Sequence, residues 1–159
     1  MKSPEARRTI HVGAIVLNGS RVLFVRQTPS HSLGPVWTIP WGVLDPDESP
    51  SCAARREVLE EAGITARVTG LLAVQPLPEP WAGTIAIVFL CNHASGTPTP
   101  DGVETDQARY LAASDLSGVG AIEPWCCWLV ERVLAGHTDG LLSVDGNPFG
   151  SEGFIAQAV

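Results

Sequence analysis

Residues 42–64 read GVLDPDESPSCAARREVLEEAGI and carry the clearest helix signal in the chain. Ser49 can cap a helix N-terminus, Pro50 suits the first turn, and Gly63 is a typical C-terminal stop. Small and apolar residues recur between these limits at helical spacing, so that one face can pack inward while the charges lie on another. The residues expected to face inward are Ala53, Val58 and Ala62. We therefore predict an amphipathic helix between Ser49 and Gly63.

The same helix carries three carboxylates on one face. Glu60 and Glu61 follow Glu57 by three and four residues, a spacing that brings their side chains together. Like charges this close repel, and a hard divalent cation such as Mg²⁺ or Mn²⁺ would relieve the repulsion because these ions prefer carboxylate oxygens. Glu48, in the lead-in loop, can bend back over the same face. The alternative interpretation is a solvated helix face with ordinary Glu/Arg pairs.

The quoted stretch resembles the signature of the Nudix hydrolase family. That signature is Gly, five residues, Glu, seven residues, Arg-Glu, an apolar residue, any residue, Glu-Glu, any residue, Gly and an apolar residue. Residues Gly42 to Ile64 match it without a gap. The resemblance implies an enzyme, a hydrolase that cleaves a diphosphate linked to another moiety. It further implies water as the nucleophile and a divalent metal ion, Mg²⁺ or Mn²⁺, as the cofactor.

The resemblance also implies the fold. We expect an α+β protein, a mixed α/β/α sandwich in which a central mixed sheet has helices packed on both sides. Residues 1–159 are expected to form a single domain, with a core of about 8–136 and a C-terminal extension, 137–159, of unassigned role. The order of elements agrees, since strands precede the quoted stretch and further strands and an amphipathic helix follow it.

Hydrophobic pattern and turn residues predict the elements outside the quoted stretch. Ser114 is expected to cap a single turn, and no element is assigned within 137–159, which is rich in glycine and turn residues. Strands are predicted at 9–18, 21–27, 64–74, 84–92 and 108–111, an extended piece interrupted at Pro40 at 37–44, and a second helix at 122–135.

The resemblance assigns roles to the charged residues of the quoted stretch. Glu57, Glu60 and Glu61 are implied as the metal-binding carboxylates. Arg56 is implied as the residue that orients Glu57. Glu48 is implied as an auxiliary ligand of a second metal ion, directly or through water.

The catalytic base varies within the family. It is either the first Glu of the helix, here Glu57, or a carboxylate on a later loop. Glu104, in DGVETDQARYL just before a predicted strand, is placed like that loop carboxylate; the alternative is an ordinary exposed acid. Either group would deprotonate a water molecule whose pKa a metal ion has lowered.

The chain departs from the family pattern at Trp41. Family members usually have two glycines where this chain has Trp41-Gly42, and the residue before the signature commonly offers its backbone carbonyl to the metal. Trp41 keeps a carbonyl and is a candidate metal ligand, but its bulk can alter the backbone or narrow the pocket, because glycine adopts conformations that tryptophan avoids. Its ring can stack on a base or sugar, or pack over the core.

Residues outside the signature are expected to select the substrate. Within the family, a proline some sixteen residues after the signature is associated with action on ADP-ribose, and Pro80 lies sixteen residues after Ile64, in a proline-rich segment. Tryptophans could provide aromatic surface for a nucleobase, with core packing as the alternative for each of them. The candidate substrate-binding residues are Trp37, Trp41, Trp81 and Arg26.

Three functional hypotheses follow. The first is metal-dependent hydrolysis of a nucleoside diphosphate derivative, with an ADP-ribose-like nucleotide sugar favoured over (d)NTPs or dinucleoside polyphosphates. The second is a catalytically silent nucleotide-binding module of the same fold. The third is isomerisation of an isoprenoid diphosphate by a related fold; that activity relies on a reactive Cys and an additional Glu, and neither Cys52 nor Cys91 provides a clear match.

Composition limits the partners and the compartment. The 159 residues are 45% hydrophobic and 17% charged, which is typical of one globular domain. A net charge of −7 argues against a nucleic-acid polymer or a membrane as partner, because both attract basic surface. A small-molecule substrate is expected, with a homodimer as an open alternative. Four cysteines without a Cys-x-x-Cys pair, and an N-terminal apolar run too short for a signal peptide, favour the cytoplasm.

Overall fold

The computed structural model describes residues 8–32, 34–143, 147–150 and 153–157. Residues 1–7, which begin the segment considered above as a signal peptide, lie outside these ranges. Parts of the predicted C-terminal extension also lie outside them. The described elements are β1 (Thr9–Asn18), β2 (Arg21–Gln27), β3 (Trp37–Thr38), β4 (Trp41–Val43), α1 (Pro50–Ala62), β5 (Thr65–Pro76), β6 (Thr84–Ser95), β7 (Thr105–Leu111), a 3₁₀ turn (Ala113–Asp115), α2 (Pro124–Leu134), β8 (Asp139–Ser143) and β9 (Phe154–Gln157).

All of these strands belong to one mixed sheet. Its main order is β3-β2-β1-β6-β5-β9-β8, with β4 beside β1 and β7 beside β2. β1 and β6 run parallel, from Thr9 opposite Thr84 to Leu17 opposite Asn92, whereas the other pairs are antiparallel. β1 and β2 pair only near their connecting turn; further along, β4 lies beside β1 and β3 lies beside β2. The sheet therefore divides at the ends of β1 and β2, which is where the site described below is located.

The two helices pack on opposite faces of this sheet. Along β1 the side chains alternate: Val12, Ala14 and Val16 pack in one core with α1, whereas Ile15 packs in a second core with α2. Each buried large apolar side chain contributes roughly 1.5–3 kcal/mol, so this packing holds α1 firmly against the sheet. The expected sandwich with helices on both sides is confirmed. The predicted inward-facing residues of α1, all fully buried, are Ala53, Val58 and Ala62.

Both ends of α1 are capped as predicted. The Ser49 hydroxyl accepts the backbone N–H of Cys52 at 3.3 Å, and Pro50 occupies the first turn, where a missing N–H costs nothing. Gly63 adopts a left-handed conformation with φ of 65°, and its N–H donates to the carbonyl of Leu59 at 3.0 Å. These caps set the two ends of α1, and they thereby set the position of its acidic residues relative to the sheet.

The C-terminal part differs from the sequence prediction. β8 and β9 pair with each other, and β9 extends the sheet at β5 through Ala73 opposite Ile155 and Val74 opposite Phe154. Arg132 of α2 also donates to the carbonyl of Ala156 at 3.1 Å. Strands of four and five residues that depend on pairing with distant chain leave little local pattern. The expected cap at Ser114 is wrong, because Asp115 accepts the N–H of Ala112 and the turn begins at Ala113.

Neither helix in the described ranges has the length and apolar character needed to span a membrane. The four cysteines are free. Cys91 and Cys126 are buried, whereas Cys52 is exposed.

Candidate active site

A cleft of about 350 Å³ opens where β1 and β2 separate. Three carboxylates of α1 and Glu104, from the loop before β7, line it together with aromatic side chains from β1, β4 and the β5–β6 loop. We call it the acidic cleft. The structure thus brings Glu57, Glu60, Glu61 and Glu104 to one cavity, together with Trp41, Trp81 and Arg56.

Glu57 is buried against the backbone of β4. The residue retains 6% exposure, and a Cβ atom added at Gly42 would overlap its carboxylate. Any residue other than glycine at position 42 would therefore displace Glu57. This contact gives the first glycine of the sequence signature a structural role that the spacing alone could not show.

Arg56 binds several carboxylates at once. Its Nη1 lies 2.7 Å from Glu57 Oε1 and 3.1 Å from Glu60 Oε2. Its Nη2 and Nε bind Glu48 at 2.6 and 3.1 Å, and Nη2 also donates to the carbonyl of Val43 at 3.2 Å. A planar guanidinium with five donors can hold such a set in one arrangement. Arg56 therefore contacts Glu57 directly, and its role in orienting Glu57 stays a prediction.

Glu48 faces Arg56 rather than the cavity. Both of its carboxylate oxygens bind the guanidinium, Oε1 also accepts the N–H of Asp45 at 3.1 Å, and the described lining of the acidic cleft does not include it. Hydrogen bonding to Arg56 lowers the pKa of Glu48. The same hydrogen bonds raise the pKa of Arg56, with Glu48 making the largest contribution. In this structure Glu48 supports Arg56, whereas Asp45, which the sequence analysis did not select, lines the cleft.

Glu61 is the most enclosed of the acids in the cleft. Its side chain is 4% exposed, its Oε2 accepts the N–H of Trp41 at 3.1 Å, and its backbone carbonyl accepts the Thr105 hydroxyl at 2.8 Å. Burial raises the pKa of Glu61 well above its usual value, and the charge of Glu57 raises it further. Burial also raises the pKa of Glu57, which Arg56 partly offsets. The fold therefore holds two carboxylates where ionisation is unfavourable without a nearby positive charge.

The donor set fits a hard divalent cation. Carboxylate oxygens are the ligands that Mg²⁺ and Mn²⁺ prefer, and a cation beside Glu57 and Glu61 would offset the burial that raises their pKa values. Within the described ranges, no three His, Cys, Asp or Glu side chains stand arranged to hold a metal ion as they are. Arg56 instead binds Glu57 and Glu60. Metal binding would therefore require these side chains to turn toward the cavity.

Asp101 shapes the loop that carries Glu104. Its Oδ1 accepts the backbone N–H groups of Val103, Glu104 and Thr105, each at 2.9 Å, and the carbonyl of Glu104 accepts the N–H of Thr28. Burial opposes ionisation of Asp101, but these hydrogen bonds lower its pKa overall. The Glu104 side chain is exposed and lines the acidic cleft, so the loop delivers a carboxylate close to those of α1.

Trp41 forms an aromatic wall with two neighbours. Its ring centroid lies 5.2 Å from that of Trp81 at an interplanar angle of 82°, and 5.2 Å from that of His11. Burial lowers the pKa of His11, which favours the neutral imidazole. Trp41 is only 8% exposed, so it packs in the core and also lines the cleft.

Two predicted substrate contacts lie elsewhere. Trp37 is 2% exposed, donates its indole N–H to the carbonyl of Val119 at 3.1 Å, and stacks beneath the guanidinium of Arg109. Arg26 forms two hydrogen bonds of 2.7 Å with Asp106. Neither residue is in the described lining of the acidic cleft. In this structure Trp37 packs in the core and Arg26 pairs with Asp106, and their role as substrate contacts stays a prediction.

Sequence reasoning missed residues that line the cleft from the strands. Gln27 ends β2 and His11 lies in β1; Gln27 Oε1 and His11 Nδ1 are both buried without a hydrogen-bond partner. His31 also lines the cleft. His93 binds the Tyr110 hydroxyl at 2.8 Å, outside the cleft. A polar side chain within an otherwise apolar strand was the only available signal for His11 and Gln27.

We expect Glu61→Gln to stabilise the metal-free protein, and increasingly so as the pH rises. The folded protein binds the Glu61 proton more tightly than the unfolded chain, so the fold loses stability once the pH exceeds the unfolded pKa of about 4.3. Glutamine removes that loss, and its carbonyl can still accept the N–H of Trp41. Melting in chelator from pH 4.5 to 8 measures the effect, at about 2–4 °C per kcal/mol. A constant difference in Tm across this range would contradict the explanation.

The profile of a family described as the NUDIX domain matches residues 7–129, well over half of the chain. A MutT-like protein of Streptomyces ambofaciens is 29% identical over 134 residues, which cover 77% of this chain and 83% of that protein. The NAD-capped RNA hydrolase NudC of Vibrio atlanticus is 28% identical over 134 residues, covering 80% of this chain. The matched region spans only 48% of that enzyme.

A solved structure shares the fold. The crystal structure of a NUDIX hydrolase from Nitrosomonas europaea aligns with a TM-score of 0.70, covering 81% of this chain and 71% of that one. The sequences are 22% identical over the alignment, so this likeness concerns the fold alone.

Proposed function

The chain belongs to the NUDIX family of hydrolases, and from this premise we propose that it cleaves the diphosphate linkage of a nucleoside diphosphate derivative, with an ADP-ribose-like nucleotide sugar as the favoured substrate. One observation carries the proposal: acidic side chains suited to a cation and an aromatic wall suited to a flat base line the same cleft. A diphosphate substrate needs the first feature and a nucleoside needs the second.

NUDIX hydrolases generally use divalent metal ions. In this chain Glu57, Glu60 and Glu61 would hold Mg²⁺ or Mn²⁺, and the backbone carbonyl of Trp41 is a further candidate ligand. A bound ion of this kind neutralises diphosphate oxygens and lowers the pKa of water. It would also explain how a protein of net charge −7 accepts an anionic substrate.

Two residues are candidates for the general base that activates water. Burial raises the pKa of Glu57, which brings it closer to the working pH, where a base is most effective. Glu104 is exposed on a loop that Asp101 organises, and it lines the same cleft. Arg56 positions Glu57 through the 2.7 Å contact and leaves the second carboxylate oxygen of Glu57 available.

The substrate preference rests on the aromatic side chains. Trp81 and Pro80 lie on the loop between β5 and β6, and Trp81 packs edge-on against Trp41. The alternatives are (d)NTPs and dinucleoside polyphosphates. The relatives add an RNA terminus to the substrates worth testing, because one of them is named for hydrolysis of NAD-capped RNA.

Product release across a substrate panel tests the proposal. The purified full chain, with Mg²⁺ or Mn²⁺, is given ADP-ribose, other nucleotide sugars, dinucleoside polyphosphates, (d)NTPs and a short NAD-capped RNA. We expect the fastest turnover with ADP-ribose and release of a nucleoside monophosphate. Faster turnover of another class would overturn the preference for nucleotide sugars.

Metal-dependent binding without turnover of any substrate would instead favour a silent binding module. In that case Trp41→Gly, which restores the two glycines usual in the family, is the next variant to assay. The isomerase alternative gains no support, since the described lining of the cleft includes no cysteine.

A further inference from the structure

A second cavity, of about 130 Å³, adjoins the acidic cleft. Trp41 and Trp81 line both cavities, so the two cavities are adjacent at these rings. Its other walls are the start of the β5–β6 loop, the beginning of α2 at Trp125, and Phe149 from the C-terminal extension. We call this cavity the aromatic pocket.

The polar groups of the aromatic pocket are acidic. Glu79 and Glu123 line it, and its described lining contains no Lys, Arg or His. An anionic group such as a phosphate would therefore be repelled, whereas a group with N–H donors would be accepted. Glu123 Oε2 accepts the N–H of Cys126 at 2.7 Å, and an ionised carboxylate has acceptor capacity left for a second donor.

Gln75 fixes the C-terminal wall of the pocket. Its side chain is fully buried; Nε2 donates to the carbonyl of Phe149 at 2.9 Å and Oε1 accepts from Asn147 Nδ2 at 3.0 Å. A Cβ atom at Gly153 would approach Gln75 Oε1 to 2.8 Å, so the chain passes close to this amide. A buried amide that binds residues 147–149 holds Phe149 in the pocket wall at a defined place.

We propose that the aromatic pocket is the subsite for the base of the substrate, that Phe149 supplies a stacking wall of this subsite, and that Glu123 favours a purine bearing an amino group. The inference rests on the proposed function, because it assumes that the diphosphate lies in the acidic cleft. Aromatic walls complement a planar base, and Glu123 complements an amino group. The extension, 137–159, then contributes to substrate selection although it lies outside the sequence signature.

Binding of product-like ligands tests the subsite without requiring turnover. Isothermal titration of the full chain with Mg²⁺ compares adenosine 5′-monophosphate, inosine 5′-monophosphate and ribose 5-phosphate. We expect adenosine monophosphate to bind about tenfold more tightly than the baseless ribose phosphate, as one stacked ring contributes. Inosine monophosphate, which has a carbonyl in place of the amino group, should bind between them. Equal affinity for all three would overturn the inference.

Variants assign the effect to the pocket. Phe149→Ala should weaken adenosine monophosphate about tenfold and leave ribose 5-phosphate within twofold, and Phe149→Leu replaces it if the alanine variant does not fold. Phe154→Ala, exposed on the same extension, is the matched control. Glu123→Gln should narrow the difference between adenosine and inosine monophosphates. Equal weakening of all ligands by Phe149→Ala would contradict the proposal.

The two proposals fail separately. A base preference that depends on Phe149, in a protein that hydrolyses nothing in the panel, would contradict the proposed function and support the subsite. Hydrolysis with no preference among the three ligands would support the proposed function and contradict the subsite.

Discussion

Replacing Glu60 and Glu61 together by glutamine should lower kcat by about 10³-fold or more while the protein stays folded. The substitution keeps the size of both side chains but removes two of the negative charges that would hold a divalent ion in the acidic cleft. Folding should tolerate it, because Glu60 is largely exposed and burial already opposes ionisation of Glu61. The measurement is product release at saturating substrate and saturating Mg²⁺, with Mn²⁺ affinity determined by titration.

A matched control separates the site from a general loss of charge. Glu131→Gln removes an exposed carboxylate of α2, the helix packed on the opposite face of the sheet, and should leave kcat unchanged. Unchanged turnover in the double variant would refute the assignment of these two carboxylates. Lost turnover with unchanged Mn²⁺ affinity would assign them a role other than metal binding.

Removing the guanidinium of Arg56 should have the second-largest effect. In Arg56→Ala, Glu48, Glu57 and Glu60 lose their shared counter-charge, and Glu57 is left buried without its partner. We expect a loss of roughly 2 kcal/mol in the free energy of unfolding, with the contribution of the more exposed Glu60 discounted for solvent screening. Because Glu57 is no longer held in place, kcat/KM should fall by about 10²-fold. Thermal melting in chelator and steady-state kinetics in Mg²⁺ measure the two effects.

Arg55 provides the control on the same helix. It is exposed and donates a hydrogen bond to Cys52 Sγ, so Arg55→Ala should change stability by less than about 0.5 kcal/mol. Saturating Mg²⁺ should narrow the difference in stability between wild type and Arg56→Ala, since a cation can replace the missing charge. Equal losses in the two arginine variants would mean that helix propensity, rather than the carboxylate contacts, accounts for the effect.

Local signals predicted the elements whose ends are marked by turn or capping residues. The first two strands were predicted with their observed bounds, because an apolar, β-branched run precedes the turn-forming pair Asn18-Gly19 and an alternating run follows it. α1 was predicted from its caps. β8 and β9 could not be predicted, because their pairing depends on the distant edge of β5.

In the candidate site, too, local spacing predicted some features, whereas features that depend on distant contacts could not be predicted. Spacing along one helix brought Glu57, Glu60 and Glu61 together, but could not tell that Arg56 binds Glu48 away from the cavity. Trp37 and Trp41 are four residues apart and equally aromatic, yet only Trp41 reaches the cleft, because Trp37 pairs with β2 and Trp41 pairs with β1 on the other side of the division in the sheet. Such differences depend on strand pairing, which a single sequence does not specify.

Because Glu57 packs closely against Gly42 of β4, α1 alone does not contain everything that places the Glu57 carboxylate. A designer who moved residues 49–63 onto another sheet would bring along the carboxylates, the caps and Arg56, but not the place where the Glu57 carboxylate rests. The carboxylate rests in the space that a Cβ atom at Gly42 would occupy, and Gly42 belongs to β4 and not to the helix. The smallest portable unit of this site is therefore the strand and helix together, and a graft that omits the glycine would have the right sequence on the helix and a displaced Glu57 carboxylate.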